Sequence, residues 1–163
     1  MDLSTIEARK ALAGKWAAKY GLDTALVCSV IEQETGGTWD PFTTRYEDGF
    51  YHLYIASEVD GNPVYKVSIP PDAIRSRSTE ARERAFSWGL LQIMGQTARE
   101  FGYTGRYLSA LCDPDVGIDV GCRKLKHCVE RHVGDLTAAL LEYNGGSNPD
   151  YAPQVLARIS RYE

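Results

Sequence analysis

With 163 residues, 44% of them hydrophobic and 25% charged, the chain can bury one real core and is too short for two comfortable ones. Its formal net charge of -4 and the lack of any basic stripe argue against nucleic acid as a partner. No stretch reaches the roughly 18 apolar residues of a membrane-spanning helix. The opening MDLSTIEARKALAGKW has neither the apolar run nor the small-residue cleavage site of a signal peptide. The expectation is a protein not inserted in a membrane and without an export signal of its own.

In chain order, Ser4 with Glu7 three residues on is a capping-box pattern, and it predicts a helix to Lys19 that Gly21 stops. A second helix is predicted from Asp23 as N-cap through LVCSVIEQE, ending at Gly36-Gly37. From Trp39 to Pro71 the character changes. YHLYI and VYKVSI are β-branched and aromatic, and Asp60-Gly61-Asn62-Pro63 between them is turn chemistry, which predicts a small hairpin or irregular β excursion. Helix returns at Thr79-Glu80-Ala81-Arg82. After SWGLLQIMG it continues almost to the end, with breaks at Gly102, Asp113-Pro114, near Gly134 and at Asn144-Gly145-Gly146. The fold class expected is mainly α, a single domain over 1–163 with a small β-hairpin insertion at about 39–78.

Cys28, Cys112, Cys122 and Cys128 permit three pairings if all are oxidised. None forms a CxxC, and His127 and His132 beside Cys128 do not match a zinc spacing. They read as buried thiols, with a disulfide among Cys112, Cys122 and Cys128 left open. Three scattered histidines give no HExxH or comparable set, so neither a metal nor an organic cofactor is expected.

The second helix holds the most informative residue. Leu26, Val27, Val30 and Ile31 form one apolar stripe, and Glu34 falls in it, seven positions after Val27 and three after Ile31. Glu32 falls on the opposite side, where a solvated carboxylate is expected. Core-side burial and the helix C-terminus both disfavour the charge on Glu34, as a general acid working near neutral pH requires. A frayed helix end would instead turn Glu34 to water, and periodicity alone does not choose between the two.

Three segments in order decide it: IEQETGG (31–37), SWGLLQIMGQTAREFG (87–102) and ALLEYNGG (139–146). Together they resemble the soluble lytic transglycosylases, related in fold to goose-type lysozymes, and in particular their phage and prophage branch. That family carries Glu-Ser at a helix end, then Gly-Leu-Met-Gln, then Ala-Tyr-Asn-Ala-Gly. Here the segments read Glu34-Thr35, Gly89-Leu90-Leu91-Gln92 and Glu142-Tyr143-Asn144-Gly145-Gly146, and the resemblance runs from about residue 10 to 160. It implies a lysozyme-like fold and an enzyme that cuts the MurNAc–GlcNAc β-1,4 bond of peptidoglycan. Glu34 would be general acid and then base. Thr35, Gln92, Met94, Tyr143 and Asn144 would bind substrate, Gln92 by hydrogen bonding the sugar and Tyr143 by holding Glu34. Such a protein would act as a monomer on the cell wall, as an endolysin or a virion-associated lysin.

The departures matter. Thr35 stands for Ser, Leu91 for Met, and Glu142 for a small residue. The long insertion brings Trp39, Tyr46, Phe50, Tyr51 and Tyr54, which sugars can stack on or which simply pack together. It also brings Glu47, Asp48 and Asp40. The family manages with one carboxylate and leaves a 1,6-anhydromuramyl end. A second carboxylate, if one of these three faced Glu34, would convert the chemistry to that of a hydrolytic lysozyme. A non-catalytic wall-binding module and an enzyme for chitin are the rival readings.

Overall fold

The computed structural model describes residues 2–56 and 77–163. In chain order the elements are α1 (Ile6–Tyr20), α2 (Thr24–Glu34), β1 (Thr44–Tyr46), the single turn α3 (Asp48–Phe50) running into a widened π-type turn (Tyr51–Ile55), and α4 (Arg77–Arg84). Then come β2 (Phe86–Trp88), β3 (Ile93–Met94), α5 (Gly95–Glu100), a 3-10 turn (Leu108–Cys112), α6 (Pro114–Arg131), α7 (Leu136–Tyr143), α8 (Tyr151–Leu156) and a final 3-10 turn (Ile159–Arg161). The fold is mainly helical with one small antiparallel sheet, as expected. The chain divides into two compact units, Met1–Trp39 with Gly121–Glu163, and Asp40–Val120.

In the first unit α2 is the central element, packed by α1, α8 and the final 3-10 turn. Every residue from Ala25 to Glu32 is buried. This corrects the amphipathic reading, because a helix covered all round has no solvent side on which to put Glu32. Glu32 is buried, and its carboxylate accepts from Arg161 and from the Tyr162 hydroxyl at 2.5 Å, with Arg158 at 3.8 Å. Three residues of the C-terminal segment thus hold the carboxylate that burial would otherwise destabilise. Burial first, and the Glu32 carboxylate next, push the Tyr162 phenol up to about 12. The predicted ends of α2 stand, since Asp23 accepts from the Leu26 amide at 2.7 Å and caps it. At α1 the capping residue is Thr5 rather than Ser4, its hydroxyl accepting from Ala8 N at 3.2 Å.

The second unit contains the sheet, in order β1-β2-β3, with Tyr46 paired to Phe86, Thr44 to Trp88, and Trp88 to Ile93. A strand was expected at YHLYI, but 51–55 is helical. There Phe50 and Tyr51 pack with Ile55 on Ala81 of α4 and Ala85 just after it, and that tertiary fit overrides β-propensity. The partner segment VYKVSI and the predicted turn lie outside the described residues. The sheet's own contribution from the insertion is β1. The same unit holds a buried ion network. Arg99 grips Glu80 bidentately at 2.8 and 3.0 Å and donates to the carbonyls of Tyr103 and Gly105, while Arg84 adds a contact to Glu80 at 3.2 Å. Gly95 sits where a Cβ would come within 2.4 Å of the Glu83 carbonyl oxygen, so α5 starts against α4 at backbone contact distance.

Candidate active site

α2 delivers Glu34 at its last position, half-buried. Thr35 caps the helix and is itself buried. Its hydroxyl donates to Ile31 O at 2.8 Å and accepts from Trp39 N at 3.2 Å, so it closes the chain reversal that follows. That reversal needs left-handed backbone at Gly36 (φ 59°) and Gly37 (φ 85°), which glycine adopts without steric cost. Trp39 takes φ 54° and is 2% exposed, its ring packed on Tyr162 with Arg9 over its face. It belongs to the core and is not a sugar-stacking surface.

A hydroxyl on Glu34 is that of Tyr151, which donates to Oε1 at 2.5 Å. Tyr151 opens α8, and its i, i+4 spacing with the buried Val155 turns its ring inward, toward α2 and α7. Burial above all, then the charge of Glu34, drives the Tyr151 phenol far above its ordinary range. The same two causes, in the same order, raise the fully buried Tyr143 phenol, with Cys122 and Cys128 adding to them. Two phenols that keep their protons throughout the working range therefore surround the carboxylate electrostatically. Tyr143 closes α7 and is held from behind by Lys124, whose ammonium donates to the Tyr143 carbonyl at 2.6 Å and lies 4.5 Å from the ring centroid.

Asn144 is the C-cap of α7, half-buried, with its amide 3.5 Å from Ser147 Oγ. Glu142 turns away toward the end of α6, pairing with Arg131 at 2.9 Å and His132 at 2.5 Å. Glu34, Thr35, Tyr143 and Asn144 thus lie in one unit. Tyr151 and Lys124 were not anticipated. Sequence offered only helical periodicity for Tyr151, which marks a core face and not a partner 117 positions away.

Gln92 and Met94 belong to the second unit. Gln92 closes the β2–β3 turn at φ 44°, a conformation costing about 1 kcal/mol for a residue with a Cβ. Its amide donates to the carbonyls of Thr43 at 2.8 Å and Gly89 at 2.7 Å, tying the turn to the approach of β1. With both amide hydrogens spent on backbone, Gln92 can meet a sugar only as an acceptor. Gly89 has no room for a Cβ, which would stand 2.3 Å from Leu111 O, and at φ 66° it also needs left-handed backbone. The Met94 sulfur lies 3.3 Å from Ser87 Oγ.

The three second-carboxylate candidates are in this unit too, each with a local partner. Glu47 pairs with the exposed Arg45 at 2.5 Å, Asp48 with His52 at 3.4 Å, and Asp40 accepts from Phe42 N at 2.9 Å. All four cysteines are free thiols, Cys112 half-buried and the others buried. Among the described residues no three His, Cys, Asp or Glu side chains come together as metal ligands, and no helix is long and apolar enough to cross a membrane.

The transglycosylase SLT domain family matches residues 68–154, a span that takes in Gln92, Met94, Tyr143, Asn144 and Tyr151 and stops short of Glu34 on the N-terminal side. A relative named transglycosylase, from Enterobacteria phage PRD1, is 28% identical over 135 residues. The match covers 83% of this chain and 34% of that protein, so the chain spans about a third of the relative's length. No solved structure matches. With more than half of its length matched by the family, the chain belongs to the transglycosylase SLT domain family.

Proposed function

We propose that this protein cleaves the MurNAc–GlcNAc β-1,4 bond of peptidoglycan as a lytic transglycosylase, with Glu34 as general acid and then base. The observation that carries the reading is the Tyr151 hydroxyl on Glu34 at 2.5 Å. A residue inside the family match, 117 positions away, converges on a carboxylate outside it, at the helix end where the family keeps its glutamate. In the reaction, protonated Glu34 gives its proton to the glycosidic oxygen as the C1–O bond breaks. It then takes the proton of the muramyl C6 hydroxyl as that oxygen closes on C1. No water is consumed, and the product is a 1,6-anhydromuramyl end. Tyr151 occupies Oε1 as a neutral donor through both halves, so the exchanged proton belongs on the other oxygen. Tyr143 and Asn144 line the same site. The resemblance to the family assigns Gln92 and Met94 to the sugar.

Asp48 and Asp40 are exposed, Glu47 is half-buried, and each is locally partnered, as ordinary loop carboxylates are, which favours one-carboxylate chemistry over hydrolysis. The phage relative favours a lysin released to the wall or carried in the virion. The deciding experiment is digestion of purified sacculi by the protein and by Glu34→Gln, with mass spectrometry of the released muropeptides. Products one water lighter than hydrolytic ones, absent with the variant, are expected. Full-mass reducing ends would make it a lysozyme. No release from a folded wild-type protein would leave a wall-binding module.

A further inference from the structure

On one face of the small sheet, four aromatic rings form a continuous ladder. Thr44 faces Trp88 and Tyr46 faces Phe86 across β1 and β2, so Trp88, Phe86 and Tyr46 share a face. Their centroids are 5.2 Å apart from Trp88 to Phe86 and 5.0 Å from Phe86 to Tyr46, and Tyr51 continues the series at 6.1 Å. The rings are held from beneath. The Trp88 indole donates to Glu83 O at 2.9 Å, and Tyr51 packs on Ile55, Ala81 and Ala85. They are also open from above, since Tyr46 is 40% exposed and the other three are half-buried. Tyr46, Tyr51, His52, Arg82 and Phe86 line an open groove of about 400 Å³. Core filler does not need such a groove.

We propose that this ladder is a docking track for the peptidoglycan glycan strand, with the lactyl-peptide carboxylates of a muramyl residue met by Arg82. The occupant follows from the lining. A pyranose presents an apolar C–H face to a ring and a hydroxylated rim to water, and a row of rings suits a polymer of such units better than a single ligand. The cationic rim selects the anionic polymer. Arg82 is exposed beside the Tyr46 phenol, and its planar fork matches a carboxylate. Among the described residues, Asp48 is the carboxylate acting on the Tyr46 phenol, and it is engaged by His52 at 3.4 Å. An anionic lipid surface fits poorly with a chain of net charge -4. The inference rests on peptidoglycan being the substrate.

The test uses the full chain carrying Glu34→Gln, which binds without cutting. It is titrated calorimetrically with a soluble glycan tetramer bearing intact stem peptides, and with a chitin tetramer. Adding Tyr46→Ala is expected to weaken both about fivefold, the loss of one stacked ring. Adding Arg82→Gln is expected to weaken the muramyl glycan about threefold, as for an exposed ion pair, and to leave the chitin oligomer unchanged. With Glu34 intact, both changes should raise KM for sacculi at constant kcat. Unchanged affinity in both variants, with melting curves matching the parent, would overturn the track while the proposed function survives. A folded wild-type protein that neither binds nor cuts peptidoglycan overturns both. Parent binding to phosphatidylglycerol vesicles that Tyr46→Ala removes would assign the groove to lipid and overturn the track alone.

Discussion

The two units both bury a carboxylate, and they treat it in different ways from the one proposed to do chemistry. In the second unit Glu80 has guanidinium donors on each oxygen, two from Arg99 and one from Arg84. In the first, Glu32 is wrapped by Arg161, Arg158 and the Tyr162 hydroxyl. Glu34, two residues along the same helix, is half-buried and takes a phenol as donor. Lone pairs committed to cations fix a fold and leave no room for a proton to come and go. A neutral donor on one oxygen of a reachable carboxylate orients it and leaves the exchange possible. Burial of a glutamate is therefore a poor guide to catalysis in this chain, and the chemistry of its partner is a better one.

The comparison breaks if Glu34 proves dispensable. Glu34→Gln keeps the shape and an acceptor for Tyr151 but cannot transfer a proton, and about a thousandfold loss of sacculus-cleaving rate is expected, with the melting temperature unchanged. Glu80→Ala should do the converse. It leaves Arg84 and Arg99 buried without their carboxylate and is expected to cost about 3 kcal/mol of stability, read by urea unfolding. Tyr151→Phe removes one hydrogen bond to the carboxylate and should lower kcat about thirtyfold. If the only effect were a rise in KM, Tyr151 would be a packing residue and not a positioning one.

The fold class and the outlines of α1, α2 and the later helices were legible because their signals are local, namely caps, periodicity and glycine stops. The segment 51–55 was misread because what makes it helical is its packing on Ala81 and Ala85, which no five-residue window contains. Glu32 was misread for a related reason. The solvent-side argument presumes a surface helix, and α2 is buried on every side. Of the candidate site, the motif residues Glu34, Tyr143 and Asn144 could be picked out in sequence. Tyr151 could not, since its contact with Glu34 spans 117 positions.

The buried phenols and thiols also sharpen the contrast through pH. Burial, the leading cause in each case, raises Cys28 and Tyr162 to about 12, and lifts the Tyr143 and Tyr151 phenols well above their ordinary range. In the unfolded chain these groups release their protons near 8.5 for thiols and 10 for phenols. Between the unfolded and folded values the native state holds more protons, so stability falls as pH rises. The contribution is complete below about pH 8.5 and declines from about pH 9 upward. The midpoint of urea unfolding should follow that course, and a flat midpoint to about pH 11 would mean the phenols reach solvent in the native state.

The smallest effect expected is the most useful for choosing between the two chemistries. Asp40→Asn, Glu47→Gln and Asp48→Asn each remove a charge from the second unit while leaving a side chain of similar shape. Their present partners are a loop amide, an exposed arginine and an exposed histidine, contacts worth about 0–1 kcal/mol each. If the reaction runs on Glu34 alone, the triple variant should cut sacculi within about twofold of wild type and give the same anhydro products. A hydrolytic lysozyme that used one of these three to activate water would lose about a hundredfold or more of its rate. Mild destabilisation cannot imitate that result, because rates are compared well below the melting temperature and the product mass is independent of how much enzyme is folded. A triple variant that keeps its anhydro products at nearly full rate leaves Glu34, held by its phenol, as the group that moves the proton.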